Sequence, residues 1–490
     1  MMKKDLLGFI LLCILFASCK KSGTENTPVV PPPAGSFSFN SLKVDGAFNG
    51  STYYNSSYTP VIKCNFSAKV NSGSVVAAVS IKDKSGNNIS FNTSLENSDS
   101  TLVIQPSSPL SPITKYNVSI LTTLKSQQDK NLLSAVSLTL VTKIDSTNKF
   151  PLLSDNALLD LIQQQTFKYF WDFGHRVSGL ARERNTSGDI VTSGGSGFGI
   201  MAMIAAANRN FITRAQALAR LQTMVSFLKN TAQTFHGAYP HWLNGATGAV
   251  VPFSPNDNGA DLVETSYLVQ GLLAARQYFN GAGPDETTLR ADINTIWNRV
   301  EWNWFRQGTQ NVLYWHWSPS NNFYINMKIQ GWNECLITYV LAASSPGFSI
   351  PPVVYSSGWA QNGAIRNNNV YYNYTLPLGP ANGGPLFFEH YSFMGINPNG
   401  LQDTYANYQQ QTENHTKINY AYCVANPQQK FGYSNLCWGL TASDIENGYT
   451  ASSPSNDVGV IAPTAAISSL PYTPVESMQA LTVRYNCSTH

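Results

Sequence analysis

Ser154-Asp155-Asn156-Ala157-Leu158-Leu159-Asp160-Leu161 opens the stretch that decides the fold of the longer part of the chain. Up to Asp145 the apolar residues tend to alternate, whereas from here to Trp171 they recur at a spacing of about 3.6 residues. They fall on one helical face, at Leu158, Leu161, Ile162, Phe167 and Phe170. The pattern predicts an amphipathic helix over Asp155–Trp171, with Ser154 or Asp155 as its N-cap. The change of period therefore marks a boundary between a β region and a helical region.

The helical pattern returns along the rest of the chain. The further predicted helices are 198–209, 213–231, 260–279, 285–305, 328–343, 399–411 and 474–485. Long loops rich in Gly, Asn and aromatic residues separate them. An all-α domain over 150–490 with such loops indicates a helical toroid, in which alternate helices form an inner ring and the loops at one end build a cleft.

The region before this helical domain predicts a small all-β sandwich over 36–145. Short runs rich in Val, Ile, Thr and Ser lie at 74–81, 101–105, 116–121 and 137–141. Lys84-Ser85-Gly86-Asn87 is a turn signal between such runs, and residues 110–120 resemble bacterial Ig-like domains. A carbohydrate-binding module and a spacer are both compatible with this pattern. The low density of aromatic residues favours the spacer.

The N-terminus predicts export and lipidation. Lys3-Lys4, an apolar run over 6–16 and Ala17-Ser18-Cys19 read as a signal peptide over 1–18 whose end resembles a bacterial lipobox. Cys19 would then carry the lipid, and residues 19–35, with three consecutive prolines at 31–33, would form a tether. The expected location is the cell envelope, as a periplasmic or outer-membrane-associated lipoprotein. A plain signal peptide cleaved nearby is the alternative.

Composition excludes several classes of partner. Removal of residues 1–18 takes away two lysines and one aspartate, so the formal net charge falls from +3 to +2, which does not favour nucleic acid binding. The apolar run is too short to span a membrane, so membrane contact is expected only through the lipid anchor. The scattered cysteines predict neither a disulfide framework nor a metal site, and we expect a monomer without a cofactor. Only 12% of residues are charged and 12% are aromatic, a balance that suits flat sugar faces.

Three carboxylates stand within eight residues at Asp257, Asp261 and Glu264. Asp261 and Glu264 are three positions apart, so on a helix they share one face and both can point into a cleft. An N-cap role explains one aspartate but not two close like charges. We therefore predict a catalytic role for Asp261 and Glu264, and for Asp257 either substrate binding or capping.

A second acidic candidate is Glu334 in Gln330-Gly331-Trp332-Asn333-Glu334, just inside the start of the predicted apolar helix 335–343. Burial beside Trp332 would raise the pKa of Glu334, so that it could hold a proton at neutral pH as a general acid. The alternative is a glutamate that only complements the helix dipole. The catalytic interpretation is the one we adopt.

Other polar and aromatic residues are candidates for sugar binding. Glu183 flanks a polar loop before the glycine-rich segment 193–199, which lacks the Lys-Ser/Thr ending of a phosphate loop and more plausibly allows close helix packing. The aromatic candidates are Trp242, Trp317, Trp332, Tyr391, Phe393 and Trp438. Each could instead belong to the core. His316 and His390 lack partners at metal-ligand spacing, so no metal site is predicted.

From about Ser154 onward the chain resembles the glucoamylase-like domain of bacterial glycoside hydrolases, and within it the endo-β-1,2-glucanases of glycoside hydrolase family 144. The matching segments are 261–265, 331–334, 385–393, 421–427, 437–444 and 463–472. The resemblance implies an (α/α)6 toroid and endo-acting, inverting hydrolysis of β-1,2-glucan. In that mechanism an acid and a carboxylate base lie roughly 6.5–9.5 Å apart.

Carried over by position, Asp261, Glu264 and Glu334 match the acidic residues of the family's cleft, and Asp257 matches more weakly. Glu334 is the general acid implied, whereas its partner stays open. Relatives continue past the helix 474–485 into an aromatic and acidic tail, and this chain is short there. The alternatives are a non-catalytic glycan-binding lipoprotein, an exo-acting β-glucan hydrolase and a polysaccharide lyase. The acidic residues oppose the lyase because they would repel a uronate.

Overall fold

The computed structural model describes residues 35–145, 147 and 149–487, without the side chains of 486 and 487. The predicted signal peptide, Cys19 and all but the last residue of the tether lie outside the described residues. The chain divides into two compact units between Lys143 and Ile144. No helix in the described part is both long and apolar enough to cross a membrane.

The first unit is a β-sandwich. Its strands are β1 Phe39–Val44, β2 Thr52–Ser56, β3 Ile62–Phe66, β4 Val79–Asp83, β5 Asn88–Ile89, β6 Phe91–Glu96, β7 Thr101–Pro106, β8 Lys115–Ile120 and β9 Val136–Thr142. One sheet has the order β1-β3-β7-β6 and the other β2-β9-β8-β4-β5. All pairs are antiparallel except β2 with β9.

The sandwich core follows from alternation along these strands. Ile62 and Cys64 of one sheet and Val118 and Ile120 of the other belong to one buried cluster, while the residues between them lie toward solvent. The predicted Ig-like sandwich is therefore confirmed. One strand was predicted wrongly, because 72–78 is helical and includes α1 at Val75–Ala78. Asn71 accepts a hydrogen bond from the Gly73 amide and so starts a turn instead.

The second unit is helical. Its helices are α2 Asp155–Trp171, α3 Ser193–Asn208, α4 Arg214–Asn230, α5 Leu262–Tyr278, α6 Pro284–Asn298, α7 Leu336–Ser344, α8 Phe387–His390, α9 Tyr408–Ala425, α10 Pro463–Ser468 and α11 Pro474–Cys487. Ser154 is the N-cap of α2, as the sequence allowed. Helix α3 packs on α5, α5 on α7 and α4 on α6, and consecutive helices such as α2 with α3 and α5 with α6 also pack on each other.

Short strands join the loops of this unit. They are β10 Ile190–Thr192, β11 Trp242–Asn244, β12 Val250–Val251, β13 Ala260–Asp261, β14 Leu313–Tyr314, β15 His316–Trp317, β16 Lys328–Ile329, β17 Arg366–Tyr371, β18 Tyr374–Leu378, β19 Ala442–Ile445 and β20 Gly448–Ala451. The pairing of β13 with β15 sets Asp261 opposite His316 and Ala260 opposite Trp317. The loops therefore bring residues distant in sequence to the start of α5.

The contact between α3 and α5 depends on glycine. A Cβ atom at Gly197 would overlap the carbonyl of Tyr267, and one at Gly271 would overlap the carbonyl of Gly197. The two backbones can approach this closely only because neither position has a side chain. This confirms the predicted packing role of the glycine-rich segment, although α3 starts at Ser193 and not at residue 198.

Several helix bounds differ from the sequence prediction. Residues 328–335 form β16 and turns before α7 begins at Leu336, so the helix predicted from 328 is shorter. The helix predicted at 399–411 is instead α9, which Asn407 caps by accepting from the Gln410 amide. Helices α8 and α10 are too short to show a period, which is why the sequence did not predict them.

Candidate active site

Asp261 ends β13 and caps α5. Its Oδ1 accepts hydrogen bonds from the Val263 and Glu264 amides at 3.0 and 2.9 Å. Its Oδ2 lies 3.0 Å from Nδ1 of His241, and the side chain is fully buried. Burial acts to raise the pKa of Asp261, but the hydrogen bond from His241 and the charge of His316 outweigh it and hold that pKa below its usual value. Asp261 is thus a buried carboxylate that faces His241 and not solvent, and its predicted catalytic role stays a prediction.

Asp257 is buried against a second histidine. His316 Nε2 lies 3.5 Å from Asp257 Oδ2 and 3.8 Å from Asp261 Oδ2. Burial raises the pKa of Asp257, and His316 opposes that rise. Because Asp257 is only 6% exposed and faces His316, the structure does not support its predicted direct contact with sugar.

Glu264 lies in the first turn of α5 and keeps a partly exposed side chain. Its Oε2 accepts a hydrogen bond of 3.0 Å from the Gly194 amide in the first turn of α3. A Cβ atom at Gly194 would overlap this carboxylate oxygen, so glycine is needed for the contact. Burial raises the pKa of Glu264 to about 7, with His241 lowering it and Asp261 raising it. Glu264 can therefore exchange a proton near neutral pH.

Glu334 lies in the turn immediately before α7, not inside the helix. Its carbonyl accepts hydrogen bonds from Ser392 Oγ at 2.6 Å and from the Tyr267 hydroxyl at 3.3 Å. Burial raises the pKa of Glu334 to about 7, and the negative charges of Glu264 and Asp261 raise it further. The predicted desolvation is present, and Glu264 and Glu334 act on each other within one acidic centre.

Two tyrosines border this centre. Tyr391 contacts Phe198 and Tyr267, with ring centroids 5.0 and 5.5 Å away, and burial raises its pKa together with the charges of Glu264 and Glu334. Tyr449 on β20 is 66% exposed, and burial of its hydroxyl and the charge of Glu334 raise its pKa. Tyr391 was predicted from the sequence. Tyr449 was missed, because nothing in its local sequence distinguishes it from an ordinary hairpin tyrosine.

Aromatic side chains adjoin both histidines. Trp242 packs on Phe253 at 4.8 Å, and Phe253 lies 4.4 Å from His241. Next to His316, Trp317 contacts His236 at 4.8 Å. His236 in turn stacks on Trp304 at 3.8 Å, and Trp304 is 42% exposed. Trp242 and Phe253 are therefore placed near the acids through His241, whereas Trp317 and Trp304 lie together at His236.

Two predicted tryptophans belong to the core instead. Trp332 is buried and its indole N–H donates to Glu389 Oε1 at 2.6 Å. Trp438 is fully buried, and its indole N–H donates to the Glu476 carbonyl at 3.4 Å. Neither ring is open to stacking on a sugar in this structure, because both are buried in the core.

Phe393 and Glu183 lie elsewhere in the helical unit. Phe393 packs on Trp332, with ring centroids 6.3 Å apart, and lines a cavity of about 450 Å³ together with Tyr391. Glu183 accepts from Arg184 Nε at 2.8 Å, and Arg184 lies 3.6 Å from Asp444 on β19. These contacts tie the loop before β10 to the hairpin that carries Tyr449. They do not join Glu183 to the acidic centre.

The described residues contain no cluster of three or more His, Cys, Asp or Glu side chains arranged to hold a metal ion. Cys423 and Cys437 are free thiols. Sequence reasoning also missed His241 as a part of the acidic centre. Its partner Asp261 is 20 positions away, so no local spacing indicates the pair.

Family models match both units. The model described as "Putative glucoamylase" matches residues 326–489, and that of a bacterial Ig-like domain matches 44–142. The first range includes Glu334 but begins after α5, so Asp261 and Glu264 lie before the matched residues.

Solved structures and a curated protein cover more of the helical unit. A protein of the same glucoamylase description from Bacteroides uniformis is 50% identical, with a TM-score of 0.67 over 69% of this chain and 82% of that one. An endo-β-1,2-glucanase from Chitinophaga pinensis is 48% identical, with a TM-score of 0.66 over 68% of this chain and 83% of that one.

The curated relative is an exo-β-1,2-glucooligosaccharide sophorohydrolase acting at the non-reducing end, from Parabacteroides distasonis. It is 45% identical over an alignment of 359 residues that covers 69% of this chain. The chain spans about half the length of this relative, 49%.

Proposed function

We propose a function from one premise: the chain belongs to the family of bacterial glucoamylase-like glycoside hydrolases. On this premise it hydrolyses β-1,2-linked glucans, with inversion and by cutting within the chain. The observation that carries the proposal is the pair Glu264 and Glu334, two partly exposed carboxyl groups whose pKa values burial raises to about 7. Relatives that are 45–48% identical over the aligned residues are hydrolases of β-1,2-glucan or its oligosaccharides.

The two glutamates take different roles in this proposal. Glu334 donates its proton to the glycosidic oxygen as the bond from that oxygen to the anomeric carbon breaks. Water attacks the anomeric carbon from the opposite face, and Glu264 accepts the proton that the water loses. Glu334 ends ionised and Glu264 protonated, and solvent restores both. Tyr391, Trp242 and Trp317 would contact the sugar rings.

The mode of cutting has a specific alternative. Endo action is supported by the 48% identical endo-β-1,2-glucanase and by the aromatic groups beside His241 and His236, which offer room for several sugar units. Exo action releasing short oligosaccharides is favoured by the 45% identical sophorohydrolase. Early products distinguish them, because endo cutting gives a broad size range and exo cutting gives a single short product.

Product analysis tests the function directly. The protein is incubated with β-1,2-, β-1,3- and β-1,4-glucans, and new reducing ends are measured. We expect release from the β-1,2-glucan alone, with proton NMR showing that the first anomer formed is α. Binding of β-1,2-glucan without any release would favour the non-catalytic glycan-binding lipoprotein. A β anomer would contradict inversion.

For the helical unit we propose the (α/α)6 toroid. The support is the packing of α3 on α5, of α5 on α7 and of α4 on α6, as expected when alternate helices form inner and outer rings. A crystal structure in which α3, α5 and α7 did not share one ring would contradict it.

We also propose export and lipid anchoring at Cys19, in the cell envelope. The support is the lipobox-like Ala17-Ser18-Cys19 after a short apolar run. Cells fed a fatty-acid analogue should label the wild-type chain and not Cys19→Ala. Equal labelling of both would contradict the proposal.

A further inference from the structure

We propose that His241, held by Asp261, is the positioning residue that keeps Glu264 ionised and thereby makes Glu264, not Glu334, the group that activates water. The inference rests on the proposed hydrolysis and deepens it. Glu264 and Glu334 are both buried carboxyl groups, so burial alone does not determine which of them holds the proton. The charged groups beside each glutamate differ, and this difference determines it.

The geometry fixes the histidine. Asp261 Oδ1 is occupied by two amides of α5, and its Oδ2 lies 3.0 Å from Nδ1 of His241. Because a carboxylate only accepts, His241 carries a proton on Nδ1. Phe253 packs against the ring at 4.4 Å, and the His241 side chain is 26% exposed. Asp261 thus holds the imidazole at Nδ1 and Phe253 covers one side of it. Its second nitrogen, Nε2, can still accept a proton.

The surrounding carboxylates favour the charged imidazole. The charges of Glu264, Asp261 and Asp257 outweigh the effect of burial and raise the pKa of His241 to about 9. The histidine is therefore a cation at neutral pH. This cation stands beside the first turn of α5, in which Glu264 lies three residues after Asp261.

Glu264 and Glu334 differ in what stabilises their ionised forms. Glu264 has the charge of His241 and the hydrogen bond from the Gly194 amide. Glu334 also has a backbone hydrogen bond, from its own amide, but among the described residues the charged side chains that shift its pKa are both anions, Glu264 and Asp261. The cation beside Glu264 alone favours the state of the pair that has the proton on Glu334 and the charge on Glu264.

Other titratable groups around Glu264 do not supply a positive charge. Those that interact with it electrostatically, besides His241, are Asp261, Glu334, Cys335, Tyr267, Tyr391 and Tyr449. Burial raises the pKa of Cys335 and of the three tyrosines, so these are neutral near pH 7. Loss of His241 would leave Glu264 among anions and neutral groups.

The test is the pH dependence of kcat/KM on β-1,2-glucan. His241→Asn keeps an N–H near Asp261 but removes the charge, so we expect the acid limb to move up by about 1–3 pH units. His241→Lys, which restores a charge, should move the limb back toward that of the wild type. The matched control is His316→Asn, because His316 contacts Asp257 and Asp261 but does not shift the pKa of Glu264.

The outcomes separate this inference from the proposed function. An acid limb that stays in place in His241→Asn, or moves equally in His316→Asn, overturns it. If the wild type hydrolyses no glucan, the proposed function fails, and ¹³C NMR titration of the glutamate carboxyl groups decides the inference instead. Glu264→Gln and Glu334→Gln assign the two signals. Ionisation of Glu264 before Glu334 in the wild type supports the inference, and the reverse order overturns it even if the His241 variants do not fold.

Discussion

Two carboxylate–histidine pairs in the helical unit have similar hydrogen bonds and different surroundings. Asp261 and His241 are joined at 3.0 Å, and Glu389 and His415 at 2.7 Å. Both residues of the second pair are completely buried, and Glu389 Oε1 also accepts from Trp332 and Gln411. In the first pair only the aspartate is sealed, since His241 is partly exposed. A carboxylate–histidine pair therefore indicates a site only where one partner reaches both solvent and further acids.

The largest effect that would distinguish the two pairs is expected when one glutamate of the acidic centre is replaced. Glu334→Gln removes the proton that the departing oxygen needs, so kcat should fall by about 10²–10⁴-fold. Its thermal unfolding should match that of the wild type, because the main-chain hydrogen bonds to Ser392 and Tyr267 remain. Steady-state kinetics measure kcat, calorimetry measures the binding of β-1,2-glucan, and a melting curve measures the thermal unfolding. Retained turnover would show that Glu334 is not the acid.

The buried pair should give the opposite result. Glu389→Ala leaves the N–H groups of Trp332, Gln411 and His415 buried without their acceptor. The free energy of unfolding should fall by about 3–5 kcal/mol, as when one partner of a buried pair is removed. Urea unfolding measures it. A loss of turnover in fully folded protein, without a loss of stability, would show that Glu389 belongs to the active site.

The pH profile sharpens the comparison, because the raised pKa values belong to the acidic centre. Glu264 must be ionised and Glu334 protonated, and burial raises the pKa of each to about 7. Activity should fall below about pH 7 as Glu264 gains its proton, and above it as Glu334 loses its proton. We expect a narrow bell, with about tenfold loss per unit well outside it. A plateau between pH 4 and 6 would exclude these two glutamates as the acid–base pair.

The smallest expected effect compares a partly exposed ring with a buried one. Trp317→Ala should raise KM by about 2- to 10-fold through the lost stacking, with little change in stability. Trp438→Ala should instead destabilise the fold by about 3–5 kcal/mol, because it opens a cavity in the core. Initial rates over a range of glucan concentrations and urea unfolding distinguish the two. Matching effects of both variants on KM would place Trp438 in the substrate site after all.

Sequence patterns predicted correctly those elements whose bounds depend on residues near each other in the chain. Helix α2 has the predicted bounds because its apolar period and the Ser154 cap lie within one turn of each other in sequence. Helix α3 begins five residues before its predicted start, because Gly194 and Gly197 have poor helix propensity and are there for contacts with α5. A position chosen for tertiary packing thus misled a local rule.

The sequence by itself determined that a β-sandwich precedes a helical unit, and that Glu264 and Glu334 are candidate acids. Periodicity and carboxylates beside apolar helices suffice for that. Only the tertiary structure decided that Asp261 is sealed, that Trp332 and Trp438 are core, and that His241 completes the acidic centre. The physical reason is that exposure and the distance between charges depend on which loops meet. Here β11, β13 and β15 bring together residues up to 75 positions apart.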